Sequence, residues 1–476
     1  MNLENQTPFP ALMYSAADPD RQEHDIVVMK VSYKILRHDE NSWGLELISD
    51  GSVPLCLADE FWGEMGQSSV KVESDLAPYK PMCDVILNGT AYTPNAKEMT
   101  AIAVRLKLSH PEKPEQIPEP QKPQPLNPTM PLTDEQVERW QHEKLRHQQA
   151  MANQKIKYKT QLEKTLSILG ESVFKPNALL PGWKRTSLST FTELPIRWEY
   201  AFGGTNTIYK YADDTAEPLY NQTCFTNPIG TGWIENDYFS ECEKVNAKYR
   251  TRHEKIEDYK MIKAPRIEYH LQRQPKPAFV KHPKRGDLNA KQMAQISQNY
   301  PYQPAGFGYL GRPWSPRIAL AGTYDEKWLE EQHPYPPQDI DYGYWNAAPT
   351  DQQIEFFYPN ARLELWNLTK PEFSHKGYVC IDFPGHRPYI TMHFKTGEVV
   401  PFPMITDTVL IDTDNMIISL THKAWIRADT APLHHVETRF SDEAEGALFI
   451  FPEEQQDKKD QDLEHLDHQN KERRHG

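Results

Sequence analysis

The sequence predicts a mainly β protein, a large β-sandwich or barrel-like body interrupted by a Pro-rich linker and a helical insertion. Three observations carry this. Apolar residues alternate with polar ones at period two near both ends of the chain, at Val31, Tyr33 and Ile35 and again over Met416–Ile426. Prolines number 40 in 476 residues, above the usual share of about 5%, which suggests a globular body with many loops and some unpacked segments. One stretch, 110–165, has neither the alternation nor the apolar content of the rest.

Taken in order, residues 1–109 form the N-terminal β region of the body. His38–Ser42 offers a turn after Ile35, Trp43, Leu45 and Leu47 alternate again, and Asp84–Asn88 and Ala101–Leu108 repeat the signal. Eight prolines then fall between Pro111 and Pro131, among Glu, Gln and Lys, which favours an extended polyproline-like linker. Thr133-Asp134-Glu135-Gln136 has the spacing of a capping box and opens a charged helix expected to run to about Leu166. Its apolar residues, Trp140 among them, make only a loose stripe. The helix is either an exposed arm or a partner-binding element.

Residues 166–452 make up the main β-rich body with long aromatic and Pro-rich loops. Short strands and turns fill Leu166–Phe225, Ser240–Lys263 reads as a helix, and 264–353 is irregular. Strands resume at 354–368, 376–383, Tyr389–Phe394, Val409–Ile411 and Met416–Ile426, with Asp412–Asn415 as a hairpin turn. Residues 453–476 are charged and poor in apolar side chains, the composition of a disordered tail.

A formal net charge of −14 disfavours nucleic acid or an anionic membrane as partner, since both need clustered cations. The five cysteines are scattered and show no metal-knuckle spacing, which fits free thiols in a reducing compartment. No basic-then-apolar leader opens the chain and no apolar run reaches the length of a membrane span, so a cytoplasmic location is expected.

Chemical motifs are few. Gly306–Gly311 fits the dinucleotide-binding pattern in letters only, because prolines on both sides leave no strand before it and no helix after it. His142 and His147 sit five apart on the expected helix and point away from each other. His434 and His435, and His465, His468 and His475, carry no companion acids or cysteines at ligand spacing and read as surface residues, so no metal and no cofactor is expected. Asp339-Ile-Asp341 and Asp412-Thr-Asp414 read as turn caps.

The segment 322–353 remains the most informative. Four prolines (Pro334, Pro336, Pro337, Pro349) rule out a regular helix through its middle, yet six Tyr and Trp side chains carry more apolar surface than a solvated loop needs. Such a segment has to be pinned onto a body, and it supplies the candidate partner-binding residues Asp325, Trp328, Tyr335, Asp339, Asp341, Trp345 and Asp351, with Trp140 from the arm. The same acids would serve a carbohydrate-active hydrolase, the alternative reading.

Asn5–Phe9, Ala58–Trp62, Ser68–Ser69, Glu73–Leu76, Lys80–Asn88, Trp198–Gly204, Asn227–Gly232, Pro304–Gly308, Trp314–Arg317, the 322–353 run and Asp407–Asp414 follow one another in a fixed order. In that order they resemble the effector-adaptor family of bacterial type VI secretion, long catalogued only as a domain of unknown function. The resemblance implies a non-enzymatic cytoplasmic adaptor or chaperone. It implies as partners a secreted toxin effector and a spike or spike-tip (VgrG/PAAR-like) protein. A structural component exported with the spike is the remaining rival.

Overall fold

The computed structural model describes residues 2–112, 118–123, 132–152, 154–178, 181–209, 218–248, 255–281, 283, 288–427 and 432–441. The expected tail 453–476 and much of the Pro-rich linker lie outside them.

The protein is mainly β, built from several sheets with few helices, and no closed barrel forms among the described residues. The largest sheet has seven strands. Its order runs Ala11–Ala17, Glu23–Arg37, Ile417–Arg427, Ile405–Asp412, Cys83–Asn88 and Gln353–Ile354, with Trp43–Leu47 also paired to Glu23–Arg37. A five-stranded sheet orders Ile267–Tyr269, Tyr158–Leu169, Ala101–Pro111, Arg362–Trp366 and Tyr378–Asp382. A four-stranded sheet joins Asn2–Asn5, Leu433–Ser441, Arg387–Phe394 and Val399–Pro403. One continuous core draws Val27, Met29 and Val31 from the first, Leu106 and Leu166 from the second, and Ile390 and Val436 from the third.

Glu23–Arg37 shows why the sequence folds this way. Ile26 to Tyr33 are buried on both faces, so the run reads as near-continuous apolar sequence rather than strict alternation. Lys30 interrupts it and is itself buried, its ammonium 2.5 Å from the Asp75 carboxylate. The expected turns are present: His38 N–H donates to Ser42 O at 2.9 Å, and Asn415 N–H donates to Asp412 Oδ1 at 2.9 Å between the last two long strands of the sheet.

Two helices are shorter than expected. The arm helix begins with the capping box, in which Thr133 and Gln136 each bond the other's backbone N–H through a side-chain oxygen, but it spans only Asp134–Ala152. Tyr158–Leu169 is a strand, paired antiparallel with Ala101–Pro111. The four-residue spacing of Leu162 and Leu166 imitates a helical face, whereas Leu162, Lys164, Leu166 and Ile168 are buried at period two, with Leu169 buried at the strand's end. The second charged helix covers Tyr238–Lys248, not Ser240–Lys263. Asn246 bonds both the N–H and the C=O of Ile256 and turns the chain back, and Ile262–Lys263 pairs with Val173–Phe174 as a strand.

The arm therefore extends a hairpin between two neighbouring strands, whose neck is closed by Glu112 N–H donating to Lys157 O at 2.8 Å. Replacing residues 113–156 with a short Gly-Ser turn is expected to change unfolding free energy by no more than about 0.5 kcal/mol, since loop length is thermodynamically cheap. Urea denaturation of the shortened chain checks this.

Candidate partner-binding face

The motif segments spread along the chain meet in a network of buried ions. Asp84 has no exposed surface. Its carboxylate accepts from Lys80 Nζ at 2.8 Å, Asn346 Nδ2 at 3.0 Å, Ala347 N at 2.9 Å and Ala348 N at 3.2 Å. Burial alone would depress the Lys80 ammonium, but Asp84, Asp407 and Glu73 outweigh it and hold its pKa above the ordinary lysine value. Glu73 takes Arg317 Nη2 at 2.8 Å and Arg312 Nε at 2.8 Å, while Arg317 also donates to Tyr344 O and Leu310 O, each at 2.7 Å. Asp75 accepts from Cys56 N and Thr421 Oγ1 besides Lys30. Unpaired, each of these charges would be costly to bury; paired and hydrogen-bonded, they fix one segment against another.

The remaining motif pieces have equally structural tasks. Asn227 Nδ2 donates to Trp198 O at 2.8 Å and Phe202 O at 3.0 Å, joining Trp198–Gly204 to Asn227–Gly232. Gly203 lies at φ +147°, and a Cβ there would stand 2.1 Å from Asn227 O. Gly306 rests on the Trp198 ring, where a Cβ would approach to 3.0 Å. Gln352 ties the end of the 322–353 segment down, donating to Val85 O at 2.8 Å and Phe307 O at 2.9 Å.

The candidate residues divide accordingly. Asp325 caps the helix Glu326–Glu331, accepting from Trp328 N at 2.8 Å, and Asp341 caps the turn Tyr342–Trp345 through Gly343 N at 2.8 Å. Asp339 clamps the loop base, accepting from both Thr323 N and Thr323 Oγ1 at 2.8 Å. These bonds, together with Lys291, bring its carboxyl down to about 2. Asp351 pairs with the buried Lys164 at 2.8 Å; burial still takes that ammonium down to about 8. Trp345 lies beneath the Arg312 guanidinium. Trp328 donates its indole N–H to Tyr335 O at 3.0 Å and meets Tyr324 edge-on. Of these candidates, Asp325, Trp328 and Asp339 line a common cavity, of about 260 Å³. Trp140 stays within the arm, donating to Pro120 O at 3.0 Å.

A larger groove lies beside them, of about 620 Å³. Ile26 and its cross-strand partner Trp425 contribute to one side with Ala16 and His24, a pair on the neighbouring strands; Pro78, Tyr79, Gln338 and Tyr342 contribute to another, and Asp18, 3.3 Å from His24, lies in the lining with Asp20. Tyr79 meets Tyr342 at 5.6 Å and Trp425 at 5.5 Å, both edge-on. Three side chains staple this wall to the sheet: Lys423 Nζ and Tyr14 OH both donate to Ala77 O, and Trp425 Nε1 donates to Pro78 O. Burial, then the charges of Asp18 and Asp20, raise the Tyr342 pKa, so both acids act on the same groove. Along it, Ala11–Ala17 ends the sheet, and no strand among the described residues pairs with its outer edge. Sequence reading missed this groove because Tyr79 and Trp425 lie 346 positions apart and neither carries a motif of its own. A second concavity, of about 520 Å³, opens between Phe61, Cys224, Arg312 and Trp314.

A family model described as an uncharacterized protein conserved in bacteria (DUF2169) matches residues 20–117 and 146–423, and the chain belongs to that family. No curated protein and no solved structure matches it. No described helix is long and apolar enough to cross a membrane.

Proposed function

We propose that this member of the DUF2169 family is a non-catalytic adaptor that holds a type VI secretion effector in the cytoplasm and helps load it onto the spike. The observation that carries the reading is the groove of Tyr79, Tyr342 and Trp425 beside the unpaired edge of Ala11–Ala17. An extended partner segment can add its backbone to such an edge while its side chains enter the adjoining groove, so main-chain bonds supply affinity and the groove selects sequence. Asp18 and Asp20 favour a basic residue in that segment. The acids of 322–353 support the same reading, since their hydrogen bonds cap helices and clamp loops. Hand-over to a spike needs an interface that exchanges, which suits a groove of this modest size.

Deleting the protein is expected to lower the export of one effector while the secretion machine keeps working; an equal stop to all secretion would overturn the proposal. Tyr79 is 43% exposed, so Tyr79→Ala with Tyr342→Ala should leave the fold standing and weaken effector binding by about 10- to 100-fold. Isothermal titration against the purified effector reads that change.

A further inference from the structure

We propose that His393, His435 and Glu437 form a binding site for a divalent transition-metal ion, with Zn(II) as the best fit. Sheet register creates the cluster. His393 and His435 are direct cross-strand partners on Arg387–Phe394 and Leu433–Ser441, and Glu437, two residues further, projects from the same face. The potential ligand atoms of all three lie within 4.8 Å of one another. His393 Nε2 stands 3.4 Å from Glu437 Oε2, and His435 Nε2 stands 3.5 Å from Glu437 Oε1. Two ligands each about 2.1 Å from a tetrahedral ion are roughly 3.4 Å apart, so the nitrogen-to-oxygen separations match and the adjustment needed is one of ring orientation.

The surroundings orient the donors. The imidazole rings of His393 and His435 stack at 4.1 Å and 12°, so one ring must turn about χ2 before both in-plane lone pairs meet a single ion. His435 Nδ1 lies 2.7 Å from His434 Nδ1; with the Nδ1 proton of His435 donated across that contact, its Nε2 lone pair is left for a metal. Arg439 donates to Glu437 Oε2 at 3.0 and 2.6 Å through Nε and Nη2, holding the carboxylate ionised and in place. Hydrogen-bonded partners of this kind characterise ligating imidazoles and carboxylates. His393 Nε2 is shut off from solvent and faces the Glu437 carboxylate. Two imidazoles and one carboxylate suit Zn(II) and its transition-metal neighbours, whereas Ca(II) and Mg(II) demand more oxygen. The fourth position of the tetrahedron stays open. Expected surface residues at His434 and His435 thus have companions that sequence reading missed: Glu437, at a spacing of two from His435, and His393 on another strand.

Calorimetric titration of the metal-free full-length protein with Zn(II), and its visible spectrum with Co(II), test the site. One ion per chain is expected, with the intense absorption of four-coordinate cobalt. His393→Ala and His435→Ala should each weaken binding at least about 100-fold, and His434→Ala should keep the stoichiometry while weakening binding about 10-fold. Thermal melts of each metal-free variant separate loss of ligands from loss of fold. No stoichiometric uptake by the wild type would overturn the proposal. So would unchanged uptake by a folded His393→Ala/His435→Ala double variant, which would place the ion elsewhere, for example at His465, His468 and His475.

Discussion

Asp84→Ala is expected to destabilise the protein by about 3–5 kcal/mol, the cost of leaving a buried charge without its partner. The loss falls on several groups together. The Lys80 ammonium, 5% exposed, loses the carboxylate 2.8 Å away, and the backbone N–H groups of Ala347 and Ala348 lose their acceptor. Water cannot easily take over, because Ala347 and Ala348 are packed against Ile86 and Tyr309 in a small apolar cluster. Lys80→Met combined with Asp84→Asn should recover part of the loss, since the stranded charge is gone and Asn still accepts hydrogen bonds. Urea unfolding followed by tryptophan fluorescence reads all three proteins. Near-equal stability of Asp84→Ala and wild type would show that 322–353 is held by apolar packing alone.

Stability should also fall in acid, beginning below about pH 6.5. His422 is buried in the large sheet beside Thr406 Oγ1 at 3.0 Å, and burial lowers its pKa from 6.5 to about 3, only partly opposed by Asp407. The unfolded chain therefore takes up a proton near pH 6.5 that the folded chain refuses until about pH 3. The stability is fully present above the upper value and is lost as pH falls, by up to roughly 1.4 kcal/mol per pH unit across the window. Asp407, whose carboxyl is lowered by Lys423 and Lys80 against the effect of burial, adds a second loss below its ordinary value of 3.8. His422→Gln should flatten the slope between pH 6 and 4 while leaving the Asp407 loss in place. Thermal melts at half-unit pH steps measure both slopes.

What was legible in the sequence follows the range of the interactions. Period-two alternation at Val31, Tyr33 and Ile35 revealed one face of a strand, but Val28, Lys30 and Ser32 on its other face are buried as well. Lys30 fits there only because Asp75 meets it, a pairing no local pattern announces. The helix expected to run to about Leu166 would take in Leu162, and pairing with Ala101–Pro111 decides otherwise. The composition of 322–353 did announce a segment that must be pinned, yet the pins lie far off: Asp84 is 262 positions from Asn346, and Glu73 is 244 from Arg317. Trp328, Asp325 and Asp339 came together at one small cavity, whereas Trp345 and Asp351 face other partners. The groove of Tyr79, Tyr342 and Trp425 depends on strand order, which the sequence does not display.

Affinity purification of the tagged protein from its host, beside the Tyr79→Ala/Tyr342→Ala variant, tests the adaptor role most directly. With wild type, a toxin-like effector or a spike protein should co-purify in stoichiometric amount, and it should be lost from the variant while the variant's thermal melt is unchanged. Wild type emerging alone from cells that express the secretion system would contradict the proposed role, and equal retention by the folded variant would contradict the proposed face.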